Sequence, residues 1–121
     1  MRRLLFLLVL VALASAQTVG PVSITSIQCA RIAVSSNTAV VGIQVVGTWS
    51  GTLQPEISVS GQTPANIQVT PSTSTTPQST ITADGIYTTG VAGGSTFLVC
   101  GNTVGSGTAS VYLNAAGNTT Q

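Results

Sequence analysis

The chain has 121 residues, of which 43% are hydrophobic and only 4% charged, and it contains neither lysine nor histidine. Ordinary soluble domains carry about a quarter charged residues, so this surface has to be built from Thr, Ser, Gln, Asn and Gly. That composition excludes the basic footprint of a nucleic-acid binder, a polybasic membrane patch and the usual His or Lys bases and nucleophiles.

The first residues, MRRLLFLLVLVALASAQ, combine Arg2 and Arg3, an apolar run over 4–13 and the small-residue site Ala14-Ser15-Ala16. This order reads as a secretory signal peptide over 1–16, cleaved after Ala16. The run is shorter than the roughly 20 residues of a spanning helix, and no later run is longer, so no membrane span is expected after cleavage. Residues 17–121 then form a single domain. Its charges are Arg31, Glu56 and Asp84, a net charge of −1. So little charge on an exported, extracellular or cell-surface chain predicts burial in an assembly or cover by glycans. Disorder is disfavoured, because regular Val and Ile alternation runs through the chain.

In chain order, segment 17–28 carries Val19, Val22, Ile24 and Ile27 and reads as an N-terminal strand able to exchange into a neighbouring subunit. Cys29 and Cys100 fit an oxidising compartment and predict one structural disulfide. A metal site from two Cys without His is implausible, and neither a metal nor a cofactor is expected. Short β-branched runs follow at 22–28, 30–34, 39–48, 53–60, 67–69, 79–82, 86–91, 96–100 and 109–113. Gly, Pro, Asn and Asp separate them, which predicts an all-β antiparallel sandwich of about seven to nine short strands stapled by the disulfide. The connections are too brief for βαβ crossovers. The Pro-, Ser- and Thr-rich segment TPSTSTTPQST over 70–80 reads as an exposed loop, and Asn118-Thr119-Thr120 matches an N-glycosylation acceptor.

Residues 46–61, VGTWSGTLQPEISVSG, hold the single Trp and one of the two carboxylates. A three-residue loop at Trp49-Ser50-Gly51 would pair Val45 with Pro55, Ile43 with Ile57 and Val41 with Val59, all apolar and on one face. The stretch therefore reads as a β-hairpin with Trp49 at its tip and Glu56 on the outer face. Pro55 lacks an N–H to donate, which marks its strand as an edge or a bulge and a candidate contact with another copy. Glu56 and Asp84 make an improbable acid–base pair, because Asp84 precedes Gly85 in a turn where its side chain caps its own backbone. Trp49, Tyr87 and Tyr112 remain as candidate recognition residues, since exposed aromatic rings on a β-sandwich stack on sugars.

The motif order VGTWSGTLQPEISVSGQTP, then ITADGIYTTGVAGGSTFLV, then SGTASVYLNAA resembles a recurrent small β-sandwich of bacteriophage and prophage structural proteins. The match spans roughly residues 39–116. It implies a virion or appendage module without enzymatic activity. An immunoglobulin reading fits less well, because Leu98 stands two before Cys100 where the corner Tyr would be. The leading expectation is an exported, non-enzymatic subunit of a pilus-like filament, surface layer or virion surface that assembles with itself through strand edges. The alternative is a secreted adhesion or carbohydrate-binding module whose partner is a cell-surface glycan.

Overall fold

The computed structural model describes residues 16–35 and 38–117. Most of the expected signal peptide, residues 1–15, and Asn118 lie outside the described residues. Eleven strands and no helix occur among them: β1 (Ala16–Ile24), β2 (Cys29–Ala33), β3 (Thr38–Val46), β4 (Trp49–Ser50), β5 (Leu53–Ser58), β6 (Ala65–Asn66), β7 (Thr70–Pro71), β8 (Gly85–Gly90), β9 (Thr96–Gly101), β10 (Ser106–Gly107) and β11 (Ala109–Gly117). A five-stranded sheet has the order β1-β11-β3-β8-β7, and a four-stranded sheet the order β2-β9-β5-β6. β4 and β10 form a two-stranded ribbon. Every pairing is antiparallel.

Alternation explains why these runs form strands with one face inward. β3 buries Val41, Ile43 and Val45, and β11 buries Ala109, Val111, Leu113 and Ala115. The smaller sheet answers with Ala30 and Ile32 from β2, Leu53 from β5, and Phe97 and Val99 from β9. These residues belong to one continuous core, with Phe97 the largest of its fully buried side chains.

The predicted hairpin across 46–61 does not form. β3 pairs with β11 and β8 in the larger sheet, whereas β5 pairs with β9 and β6 in the smaller one. Val45 and Leu53 still both point inward, but they belong to different sheets of the sandwich. Residues 47–52 are a crossover, and the return crossover 102–108 runs beside it. The two are zipped by Thr52 N–H to Thr103 O (3.3 Å), Asn102 N–H to Thr52 O (2.9 Å), Gly105 N–H to Ser50 O (2.9 Å) and Thr108 N–H to Thr48 O (3.1 Å). Such close backbone approach requires glycine. Gly51 and Gly107 have φ of 125° and 79°, and a Cβ on either would fall on the carbonyl oxygen of Thr103 or Thr48. Ser106 and Gly107 thus supply one strand of this ribbon.

Pro55 is not at an open edge. β5 is flanked by β9 on one side, and on the other Ile67 N–H donates to the Pro55 carbonyl (3.1 Å) while Leu53 and Ile81 exchange both backbone bonds. The missing Pro55 N–H faces this loosely paired segment, where the short β6 covers only Glu56 and Ile57. Residues 72–77 are exposed, as expected for the Ser/Thr-rich loop, and a bridge between Val69 and Gln78 closes it.

Candidate functional site

β1 is the outermost strand of the larger sheet, paired on one side with β11 and without a strand partner on the other among the described residues. Of the four apolar residues assigned to this segment, Ile24 is fully buried and Val19 and Val22 pack against the core. Ile27 instead stands 76% exposed in the turn that follows. The strand begins earlier than the sequence pattern suggested and ends at Ile24, because residues 25–27 bend away. Its ladder with β11 is interrupted between Val19 and Val22, where Gly20 and Pro21 form a bulge.

The turn after β1 is held by a single side chain. Gln28 Oε1 accepts from the Thr25 and Ser26 N–H groups (3.1 and 2.8 Å), and its Nε2 donates to Thr25 Oγ1 (3.0 Å). The chain is then fixed firmly. Cys29 and Cys100 sit directly opposite each other on β2 and β9 and form the expected disulfide, with Cα atoms 4.0 Å apart. Their row continues to Gln54 on the outer face of the smaller sheet. The next row is Arg31, Leu98, Glu56 and Asn66. Glu56 therefore points outward as the alternation predicted, and Leu98, though on the outer side, is only 3% exposed.

The three aromatic candidates separate by environment. Trp49 is half-buried at the crossover rather than at a hairpin tip, and its Nε1–H donates to Asp84 Oδ1 at 2.8 Å. Asp84 Oδ2 accepts from the Gly47 N–H at 3.2 Å. Asp84 thus spends its carboxylate on the crossover instead of on its own turn. Tyr87 is 4% exposed and its hydroxyl donates to the Ala83 carbonyl at 2.7 Å. Burial, and secondarily the Asp84 charge, push the Tyr87 phenol above its ordinary pKa. Tyr112, 40% exposed on the outer face of the larger sheet, is the accessible ring of the three.

Asp84 belongs to the Trp49 corner and Glu56 to the outer face of the other sheet, so the two carboxylates are not brought together. Among the described residues no group of three or more His, Cys, Asp or Glu could hold a metal ion. No helix among them is long and apolar enough to cross a membrane.

Neither a protein-family model nor a curated protein matches the chain. Two solved structures match the chain. The SPBc2 prophage-derived protein YomS superposes with a TM-score of 0.73 at 13% identity, over 83% of this chain and 91% of that one. A protein of the Bacillus endospore appendages, described as a family of disulfide-linked pili, superposes more loosely, with a TM-score of 0.42 at 12% identity over 84% of this chain and 86% of that one. At such identity the likeness to YomS is one of fold, and it gives the expected β-sandwich a prophage-derived counterpart.

Proposed function

We propose that this chain is an exported, non-enzymatic structural subunit that assembles with copies of itself by exchanging β1. The observation that carries the reading is the construction of β1. It is a nine-residue edge strand that plants Ile24 in the core yet is joined to the rest of the fold through an exposed turn. Exchange of such a strand between identical chains remakes every contact in a neighbour, which is the low-cost route to assembly. Exchange is favoured over simple strand addition. The bulge and Pro21 deny a straight incoming strand a continuous ladder along the outer side of β1.

Three further features support it. The disulfide anchors the chain directly after the turn, so a swinging β1 would leave the remaining sandwich stapled. Ile27, the most exposed large apolar side chain among the described residues, lies in the hinge, where an extended linker between copies would give it cover. Between them, the near-absence of charge leaves little repulsion among copies, and both the disulfide and the leader-like N-terminus fit an extracellular location. The Pro55 strand, covered by 65–81, is a poorer contact than β1.

Size-exclusion chromatography and negative-stain microscopy of the secreted chain test this reading. Expected are oligomers or filaments that dissociate when residues 17–24 are deleted, and a deletion variant that captures a synthetic peptide of residues 17–28. A secreted chain that stays monomeric at high concentration, or polymers that survive the deletion, would sink it.

A further inference from the structure

Assembly through β1 leaves the outer face of the larger sheet unused. Of the six exposed large apolar residues among the described residues, four, Val40, Val46, Ile86 and Tyr112, are on its strands β3, β8 and β11. The register aligns Tyr112, Gln44 and Ile86 in one row across β11, β3 and β8. The next row is Thr18, Asn114, Gly42 and Thr88. Gly42 leaves that second row dented at its centre, since the nearest atom to a Cβ built there is the Asn114 carbonyl oxygen at 4.0 Å. The result is an open groove of about 370 Å³ lined by Thr18, Gln44, Ile86, Tyr112 and Asn114. That volume lies at the lower end of small-ligand clefts, about 300–1,000 Å³.

The chemistry of the lining is specific. Among the described residues, the side chains of Thr18, Gln44, Tyr112 and Asn114 make no hydrogen bond. Trp49 and Tyr87, by contrast, are each committed to an internal acceptor. Gly20 in the β1 bulge lets the Tyr112 ring lie close, because a Cβ there would meet its Cδ2 at 3.2 Å. The groove therefore sets an exposed aromatic face beside two uncommitted amides and hydroxyls, with no ionised side chain in its lining.

We propose that this groove binds an uncharged saccharide. The C–H face of a pyranose stacks on Tyr112, and the Gln44 and Asn114 amides each offer a donor and an acceptor to neighbouring hydroxyls. A phosphate, sulfate or carboxylate would find no counter-charge. Arg31 belongs to the other sheet, and Asp84 is taken up by Trp49 and Gly47. A second copy of the chain fits poorly, because it would have to fill the dent while leaving amides unpaired in a buried interface. The inference does not require β1 exchange. Thr18 and Gly20 complete the groove whichever copy supplies β1.

An array of neutral, sialylated and sulfated glycans, followed by titration of the isotopically labelled secreted chain with the best neutral glycan, tests the proposal. Neutral glycans are retained, and the amides of residues 18, 42–44 and 112–114 shift saturably. Tyr112→Ala weakens binding about threefold to tenfold, the range of a lost ring contact, while Tyr112→Phe stays near the parent. Gly42→Val fills the dent, holds or raises the melting temperature, and abolishes binding. Retention of no neutral glycan, preference for sulfated ones, or binding unchanged in Gly42→Val overturns it. So do shifts of these amides that follow protein rather than glycan concentration, because the face is then an interface between copies.

Discussion

Replacing Asp84 by alanine tests how the crossover is held to the larger sheet. The carboxylate accepts two hydrogen bonds, from Trp49 Nε1 at 2.8 Å and from the Gly47 N–H at 3.2 Å. Bonds to a charged group contribute about 1.5–3 kcal/mol each, but both sites are open to water, and the freed donors are rehydrated. A discounted value of about 1 kcal/mol per bond is appropriate. Asp84→Ala then destabilises by about 2 kcal/mol, which lowers the melting temperature by roughly 10 °C in a domain of this size. Asp84→Asn keeps an oxygen for the indole and costs about half as much. The single Trp of the chain sits at the site, so urea unfolding followed by its fluorescence reads the affected region directly. In a Trp49→Phe background, the effect of Asp84→Ala shrinks by about 1 kcal/mol, the coupling of that pair. A loss within about 0.5 kcal/mol of the parent, or no coupling in the cycle, refutes the clasp.

Three further outcomes follow from the core and the backbone. Phe97→Ala removes the largest fully buried side chain and costs about 3–5 kcal/mol, measured by denaturant midpoint. Replacing both Cys29 and Cys100 by alanine opens a linkage with a sequence separation of 71 and loses about 4 kcal/mol on the chain-entropy account, read against the oxidised parent in urea. Tyr87 has its phenol pKa raised by burial and by Asp84, so the fold holds its proton more tightly than the unfolded chain does. Its stability contribution is intact below about pH 10 and falls as pH rises through the raised value. Tyr87→Phe removes that alkaline slope in denaturation series across pH, and late ionisation of one tyrosine in ultraviolet titration checks the same shift.

Much of the architecture is legible in the residues themselves. Apolar residues at every second position mark β3, with Val41, Ile43 and Val45, and β11, with Val111 and Leu113, and two cysteines behind an expected signal peptide point to the single disulfide. Pairing is harder, and residues 46–61 explain why. A loop of odd length brings the apolar faces of two strands together in a hairpin, but the same parity holds when the strands face each other across a core. Val45 and Leu53 both turn inward in either case. The deciding contacts are distant in sequence: Trp49 opposite Gly107, and the Trp49 indole on Asp84. Glycine at 51, 105 and 107 was the available signal, since two glycine-bearing corners of similar length fit each other as crossovers. Pro55 misled for a related reason. A missing donor needs only a partner strand too short to demand it, and β6 with its two residues is such a strand. Of the recognition candidates, Tyr112 was named by its residue type, whereas the groove beside it depends on Gly42, whose lack of a side chain carries no signal until three strands are in register.

β1 joins the two functional readings, and its bulge serves both. Between Val19 and Val22 one extra residue breaks the ladder, which hinders an added strand from growing the sheet and so favours the proposed exchange of β1 over strand addition. The same bulge sets Gly20 against Tyr112, whose ring stays 40% exposed. Deleting both Gly20 and Pro21 would take out one residue more than the bulge adds, removing the break but slipping the residues before it by one position along β11. It would also carry Thr18 out of line with Asn114, because a register change shifts every residue before it. An assembly built by exchange would then have each groove formed by two copies, with Thr18 and Gly20 from one and Gln44, Tyr112 and Asn114 from the next. Glycan binding and polymerisation would be coupled through one strand, with the sugar stabilising the exchanged state only to the extent that it binds the completed groove more tightly than the chain lacking β1.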